Sequence, residues 1–326
     1  MVRPHPGVAG GALNYRTRPP TSPPPASTTA PSAPPGLPAT ALARRPPRPW
    51  LGIALMAAGV MTLPLMDGLA KHLSEQYHVV QVTWARYLFH FLLLGALLLW
   101  RLRPQDLIPR HLGMQTLRSA CLLLTTLGYF GALAYLPMAN ALALVFIGPL
   151  ASTALAPLIL GESAGPRRWI AVAIGFAGTL VVIRPGVGAF HWASLLALGA
   201  GLSYAFYQLT TRRLAGSGRP SVTLFYTAVF GLAVLSLIVP ATWRAPDPAG
   251  WALMVLMGAI GAFAHFLIIR AFEYAAAPIL APVSYMEMVS AVLIGWLIFG
   301  DFPDPWTWLG IGLITGSGLL ILVWDR

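Results

Sequence analysis

Glu287 is the residue on which chemistry can be built. It stands about eight residues into an apolar run at 279–299, roughly 12 Å from the end of that run if the run is one helix rising ~1.5 Å per residue. A side chain cannot snorkel out from that depth, and ionisable groups so placed in a membrane face a cavity or a partner. Three roles fit the position: a counter-charge for a cationic or amino-bearing solute, a proton-coupling group, or a protonated glutamate bonded between helices.

Other chemistry-bearing residues sit at comparable depth. Arg86 in TWARYLFH lies about seven residues inside its run, so its guanidinium covers only part of the roughly 10 Å to the surface. Asp67 precedes Lys71 by four residues, and Asp67 is placed to pair with either Lys71 or Arg86. Such a pair would be an outer gate or a static device that cancels the insertion cost of Arg86. His90 follows Arg86 by one turn.

His265 lies within another apolar run, where it would donate to a solute, titrate near neutral pH, or simply pack. Tyr204 and Gln208 share a helix face at i,i+4, and Tyr285 precedes Glu287 by two residues. Aromatic faces of this kind suit a planar or cationic solute, and they also serve helix packing. Arg118 reads as a snorkelling anchor, Arg270 and Glu273 as an interfacial i,i+3 pair, and Asn140 beside Pro137 as a helix cap.

These residues need elements to hold them, and composition says which. Hydrophobic residues are 57% of the 326 and charged residues 10%. A soluble domain of that size would expose large apolar patches, whereas lipid accepts them. Runs of about 20 apolar residues span the hydrocarbon as helices, which satisfy their own backbone groups. Ten can be read, at 50–70, 79–100, 114–134, 138–160, 167–183, 192–211, 221–241, 250–270, 279–299 and 305–324. The expected fold is therefore an all-α membrane protein of ten transmembrane helices. Gly148-Pro149 and Pro157 predict a kink in the fourth span.

The net charge of +11 follows topology. Counting from an inside N-terminus, Arg101, Arg103, Arg110, Arg167, Arg168, Arg212, Arg213 and Arg219 fall on the inner side, and Lys71, Arg184 and Arg244 on the outer. The positive-inside rule puts both termini in the cytoplasm and predicts a multi-pass cell (inner) membrane protein. The arginines are spread between apolar runs, so no nucleic-acid surface is expected. Cys121, the one cysteine, lies inside a span and excludes disulfides as an organising feature. Residues 1–49 hold 14 of the 30 prolines and are expected to be a disordered cytoplasmic tail.

Beyond the tail the chain repeats itself. LGESAGPRRWIAVAIGFAGTL matches FGDFPDPWTWLGIGLITGSGL at an offset of about 139 residues, pairing Gly161 with Gly300, Glu162 with Asp301, Pro166 with Pro305 and Trp169 with Trp308. The expected halves are residues 50–185 and 190–326. Five spans per repeat is odd, so the halves must be inverted relative to each other, the design of many secondary transporters.

DGLAKHL, TWARYLF with Arg86, LRSACLLLTTLGYFGALAYLPMANALAL and the LILGE and FGD endings occur in order along the chain. With these motifs the sequence resembles the EamA-type branch of the drug/metabolite transporter superfamily over about residues 50–326. The resemblance implies a ten-span carrier of amino acids, nucleotide-like metabolites, vitamins or drugs. It also implies a central cavity between the halves, with the fifth and tenth helices more peripheral.

A carrier for a small-molecule solute is thus the leading expectation, with substrate-binding or coupling residues Glu287, His265, Tyr204, Gln208 and Tyr285, and Asp67, Lys71 and Arg86 as gate or ion pair. The alternatives are a membrane-embedded enzyme, which needs convergent catalytic groups, and a channel, which needs filter loops or charged rings. The seven histidines are scattered, no metal-ligand cluster or cofactor motif is present, and no GxxxxGK[ST] loop points to ATP.

Overall fold

A computed structural model describes residues 49–101, 111–161, 165–184, 190–214 and 220–324, and the proline-rich tail lies outside them. Its helices are α1 (Pro49–Leu73), α2 (Val79–Arg101), α3 (Leu112–Leu133), α4 (Met138–Val145), α5 (Ile147–Leu160), α6 (Pro166–Ile183), α7 (Ala193–Arg213), α8 (Pro220–Ile238), α9 (Pro248–Phe272), α10 (Ala277–Leu280), α11 (Met286–Phe299) and α12 (Pro305–Trp324). Short 3-10 turns cover Val239–Thr242 and Ala281–Tyr285.

Eight spans among the described residues are long and apolar enough to cross a membrane, counting α4 with α5 as one. α12 is apolar over the shorter stretch Pro305–Ile321. α7 falls outside the eight because Ser203, Tyr204, Gln208, Thr210 and Thr211 make it the most polar of the long helices.

Two of the expected spans are not continuous. The fourth breaks at Phe146, because Pro149 cannot donate to the Val145 carbonyl and its ring crowds the turn before it. The ninth breaks over Ala281–Tyr285, where Pro278 and Pro282 stand four residues apart. Glu287 therefore lies in the first turn of α11, just past a break, and not within an unbroken helix.

The breaks fall in register with the sequence repeat. α4 and α10, α5 and α11, and α6 and α12 each begin at positions 139 apart. α5 and α11 both end at a left-handed glycine, Gly161 at φ 70° and Gly300 at φ 71°, a conformation in which a Cβ would be strained.

Lipid tails supply no hydrophobic drive between helices, so association rests on close packing. The largest interfaces join elements from opposite sides of residue 190: α1 on α9, α3 on α7, α6 on α12 and α5 on α7. Met66, Ala70, Phe130, Leu133, Met138, Leu144, Met254, Met257 and Ala291 form the buried core. Leu158, Leu237 and Leu297 stand on the opposite, lipid-suited surface. α6 and α12 lie against each other through Gly178, where a Cβ would come within 2.8 Å of Leu313 Cβ.

Candidate functional site

A cavity of about 240 Å³ opens between the two sets of helices. A single water needs only ~15 Å³ of such space, so an organic solute fits. α1 contributes Leu63, Met66 and Asp67; α2 contributes Arg86; α3 contributes Leu122, Thr125, Thr126, Tyr129 and Phe130. The broken fourth span adds Leu142, Val145, Phe146 and Pro149, α7 adds Tyr204 and Gln208, α9 adds His265, and the broken ninth span adds Ser284 and Glu287. Both helix breaks therefore front the cavity, where irregular backbone is tolerated.

The charged side chains are held by a short network. Arg86 Nη1 donates to Thr126 Oγ1 at 2.8 Å, and its guanidinium lies 5.5 Å from the Phe130 ring centre. The Tyr129 hydroxyl donates to Asp67 Oδ2 at 3.2 Å. Pro64, one turn before Asp67, leaves the Val60 carbonyl of α1 without its helical donor, and Ser290 of α11 donates to the neighbouring Met61 carbonyl at 2.7 Å. Asp67 and Glu287 are thereby placed on adjoining elements.

Six sequence-predicted residues come together here: Glu287, His265, Tyr204, Gln208, Asp67 and Arg86. Two do not. Lys71 Nζ turns away to donate to Asp301 Oδ2 at 2.6 Å and to the Leu136 carbonyl at 3.1 Å, so it is not the partner of Asp67. Tyr285 packs on Phe146 at 5.5 Å between ring centres, and its hydroxyl fills the space beside Gly318 of α12.

Two further readings change, and His90 gains a neighbour. Arg118 is buried at 5% exposure and does not snorkel. It donates to Thr211 at 2.7 Å, Thr227 at 2.8 Å and Tyr207 at 2.6 Å, binding α3 to α7 and α8. Asn140 is interior to α4, whose N-cap is Pro137. His90 is buried against His265, with ring centres 5.4 Å apart. The Arg270–Glu273 pair stands as expected at 2.9 Å.

Sequence reasoning missed Tyr129, Thr126, Phe146 and Ser284. The first two lie in a stretch, LLLTTLGYFG, whose polar residues recur at i,i+3 and i,i+4 on an otherwise apolar helix, a signal that was there to be read. Phe146 and Ser284 owe their place to the helix breaks.

At the end of the bundle that holds Leu73, the two sets of helices are laced together. Besides Lys71–Asp301, Arg184 pairs with Asp304, and Gln81 exchanges two hydrogen bonds with the Arg244 backbone at 2.7 and 2.9 Å. Asp304 also accepts from the Thr307 amide at 2.8 Å, capping α12. Its partial burial disfavours the charge, but the Thr307 amide and the Arg184 guanidinium outweigh that and hold its carboxyl below the ordinary value.

Comparison with known proteins places this arrangement. The chain is 28% identical to a riboflavin transporter of Vibrio cholerae, over 85% of this chain and 94% of that one. It is 26% identical to an S-adenosylmethionine uptake transporter of Rickettsia prowazekii, over 84% and 93%. It is 27% identical to a pseudopaline exporter of Pseudomonas aeruginosa, over 83% and 93%. A solved crystal structure shares the fold with a TM-score of 0.59 at 18% identity, covering 84% of this chain and 98% of that chain. The profile of the EamA-like transporter family matches twice, at residues 49–184 and 191–323. The relatives are named as transporters, not enzymes, and the chain, a multi-pass membrane protein, belongs to the EamA-like transporter family.

Proposed function

We propose that the protein is a secondary-type carrier that moves a small organic metabolite across the inner membrane by alternating access. The observation that carries this reading is the cavity itself, walled by helices of both halves and bordered by two helix breaks in register. The halves, 50–185 and 190–326, each supply five spans and lie in opposite orientations, so that a rocking motion exchanges their conformations. Both termini are cytoplasmic by the positive-inside rule. The Lys71–Asp301 and Arg184–Asp304 pairs then close the external face, and they must part for the cavity to open outward.

Glu287, His265, Tyr204 and Gln208 contact the solute in this reading, with Arg86 and Asp67 completing the polar wall. A vitamin or a nucleotide-like metabolite is the substrate class that the relatives suggest, since proteins similar to this chain carry riboflavin and S-adenosylmethionine. The test is counterflow in proteoliposomes. Unlabelled solute loaded inside must accelerate entry of the labelled solute, which a pore does not do. Flux that is indifferent to solute on the far side would overturn the carrier reading.

A further inference from the structure

Four acidic or basic side chains face the cavity: Asp67, Arg86, His265 and Glu287. Three of them are provided for by the protein. The Arg86 charge acts on the Asp67 carboxylate, to which Tyr129 donates. His265 lies against the His90 ring, with 5.4 Å between ring centres.

Glu287 is different. It accepts no hydrogen bond from a described side chain or backbone amide, and no described cation lies within 4 Å of its carboxylate. The charge that acts on it is that of Asp67, another acid. Its backbone stands in the first turn of α11, whose dipole favours a negative charge at that end. The protein thus directs an acid into a cavity with a largely apolar and aromatic wall and supplies the helix end that favours its charge, but no cation in contact with it. Ionisable groups inside a membrane bundle pair with a partner or mark a solute pathway. The aromatic part of the wall is Tyr129, Phe130, Phe146 and Tyr204, residue types whose ring faces attract organic cations.

We infer that the transported solute is an organic monocation whose positive centre rests against Glu287 while its flat body lies among Tyr129, Phe130, Phe146 and Tyr204. This rests on the transport reading above and adds the charge of the cargo. A neutral solute of the same shape leaves Glu287 without a counter-charge, and an anion meets repulsion from it. Glu287 is then a specificity-determining residue.

Paired probes that differ by one methyl group and one charge test this. In proteoliposomes containing the full chain, S-adenosylmethionine (net charge +1) is compared with its net-neutral thioether S-adenosylhomocysteine, and N-methylnicotinamide cation with uncharged nicotinamide, each as the counterflow solute. Riboflavin serves as a neutral control. The expected result is exchange of at least one cation at about tenfold or more over its neutral mate, equivalent to ~1.4 kcal/mol. Glu287→Gln brings the pair to within about twofold of each other, while Glu287→Asp keeps the preference. Equal exchange of charged and neutral mates, or a preference that survives Glu287→Gln, overturns the inference. Free exchange of riboflavin with neither cation moving also overturns it and leaves the carrier reading intact. Absence of exchange with every solute sinks both. Gel-filtration profiles of the variants confirm that each is folded before its transport is scored.

Discussion

Lys71 Nζ lies 2.6 Å from Asp301 Oδ2 and also donates to the carbonyl of Leu136, so one ammonium joins α1, the turn between α3 and α4, and the turn between α11 and α12. The Phe299 ring lies 4.8 Å from the same nitrogen. Since Asp301 occupies the repeat position of Glu162, the acid of this pair belongs to the motif that recurs in both halves.

If this pair closes one face, its charges are interchangeable as a unit. Lys71→Asp and Asp301→Lys are each expected to lower counterflow by about tenfold or more, through like-charge contact at a partly buried site. The double variant Lys71→Asp, Asp301→Lys is expected to recover most of that loss. Counterflow rates of the three proteins decide the matter, and a double variant as poor as the singles would show that contact is not what the residues provide.

Arg118 predicts a stability effect rather than a transport effect. Its three hydroxyl partners on α7 and α8 lose a charged donor in Arg118→Ala, at about 2–4 kcal/mol for bonds of this kind in a buried setting. The detergent-solubilised variant should melt several degrees lower. Arg118→Lys recovers only part of this, because one ammonium does not span the three directions of the guanidinium fork.

Gly148 occupies the position that mirrors Glu287 in the repeat. A Cβ there would lie 2.8 Å from the Gly201 carbonyl and 2.9 Å from Tyr204 Cδ1. Gly148→Ala is therefore expected to push Tyr204 and α7 aside, costing about 1–3 kcal/mol in packing. It should weaken solute exchange although no group that touches the solute has been changed. A half-saturation measurement separates this from a loss of folded protein.

Arg86 Nε is buried and has no hydrogen-bond partner among the described residues. Beside it, between His90, His265 and Thr227, lies a space of about 20 Å³, enough for one water at ~15 Å³. An ordered water bonded to Arg86 Nε is the expected finding in an experimental structure resolved to water level.

Acid sensitivity has a definite sign at Asp304. Its folded-state carboxyl lies below its ordinary value of 3.8, so the Arg184–Asp304 tie contributes stability that is present above that value. The contribution fades as pH falls through the ordinary value and then the lower folded-state one. Asp304→Asn removes this part of the dependence. Melting curves taken from pH 6 down to the acid limit should run closer to flat in the variant than in the parent.

The extent of the helices was legible because apolar length is set by the membrane, and most predicted ends lie within a few residues of those found. The repeat was legible because Gly161 and Gly300 each require a left-handed backbone, so their spacing carries structural weight. Pairing across the bundle was not. Lys71 has Asp67 one turn away in sequence, but α1 turns Lys71 toward Asp301 and Asp67 toward Tyr129, and helix rotation of that kind is set by the neighbouring helices. Tyr285 was misplaced for a related reason: a 3-10 turn advances about 120° per residue, so it faces α12 and not the side an α-helix would present.

The eight residues of α4 bear on how the protein is made. Six of them are buried, and the elements that cover them are chiefly α7 and α11, which are synthesised later. A ribosome that has released only the first half leaves the end of the α4 break, with its freed Val145 carbonyl, uncovered in lipid, where such a group costs several kcal/mol. The order of synthesis thus makes the later helices α7 and α11 the cover for α4.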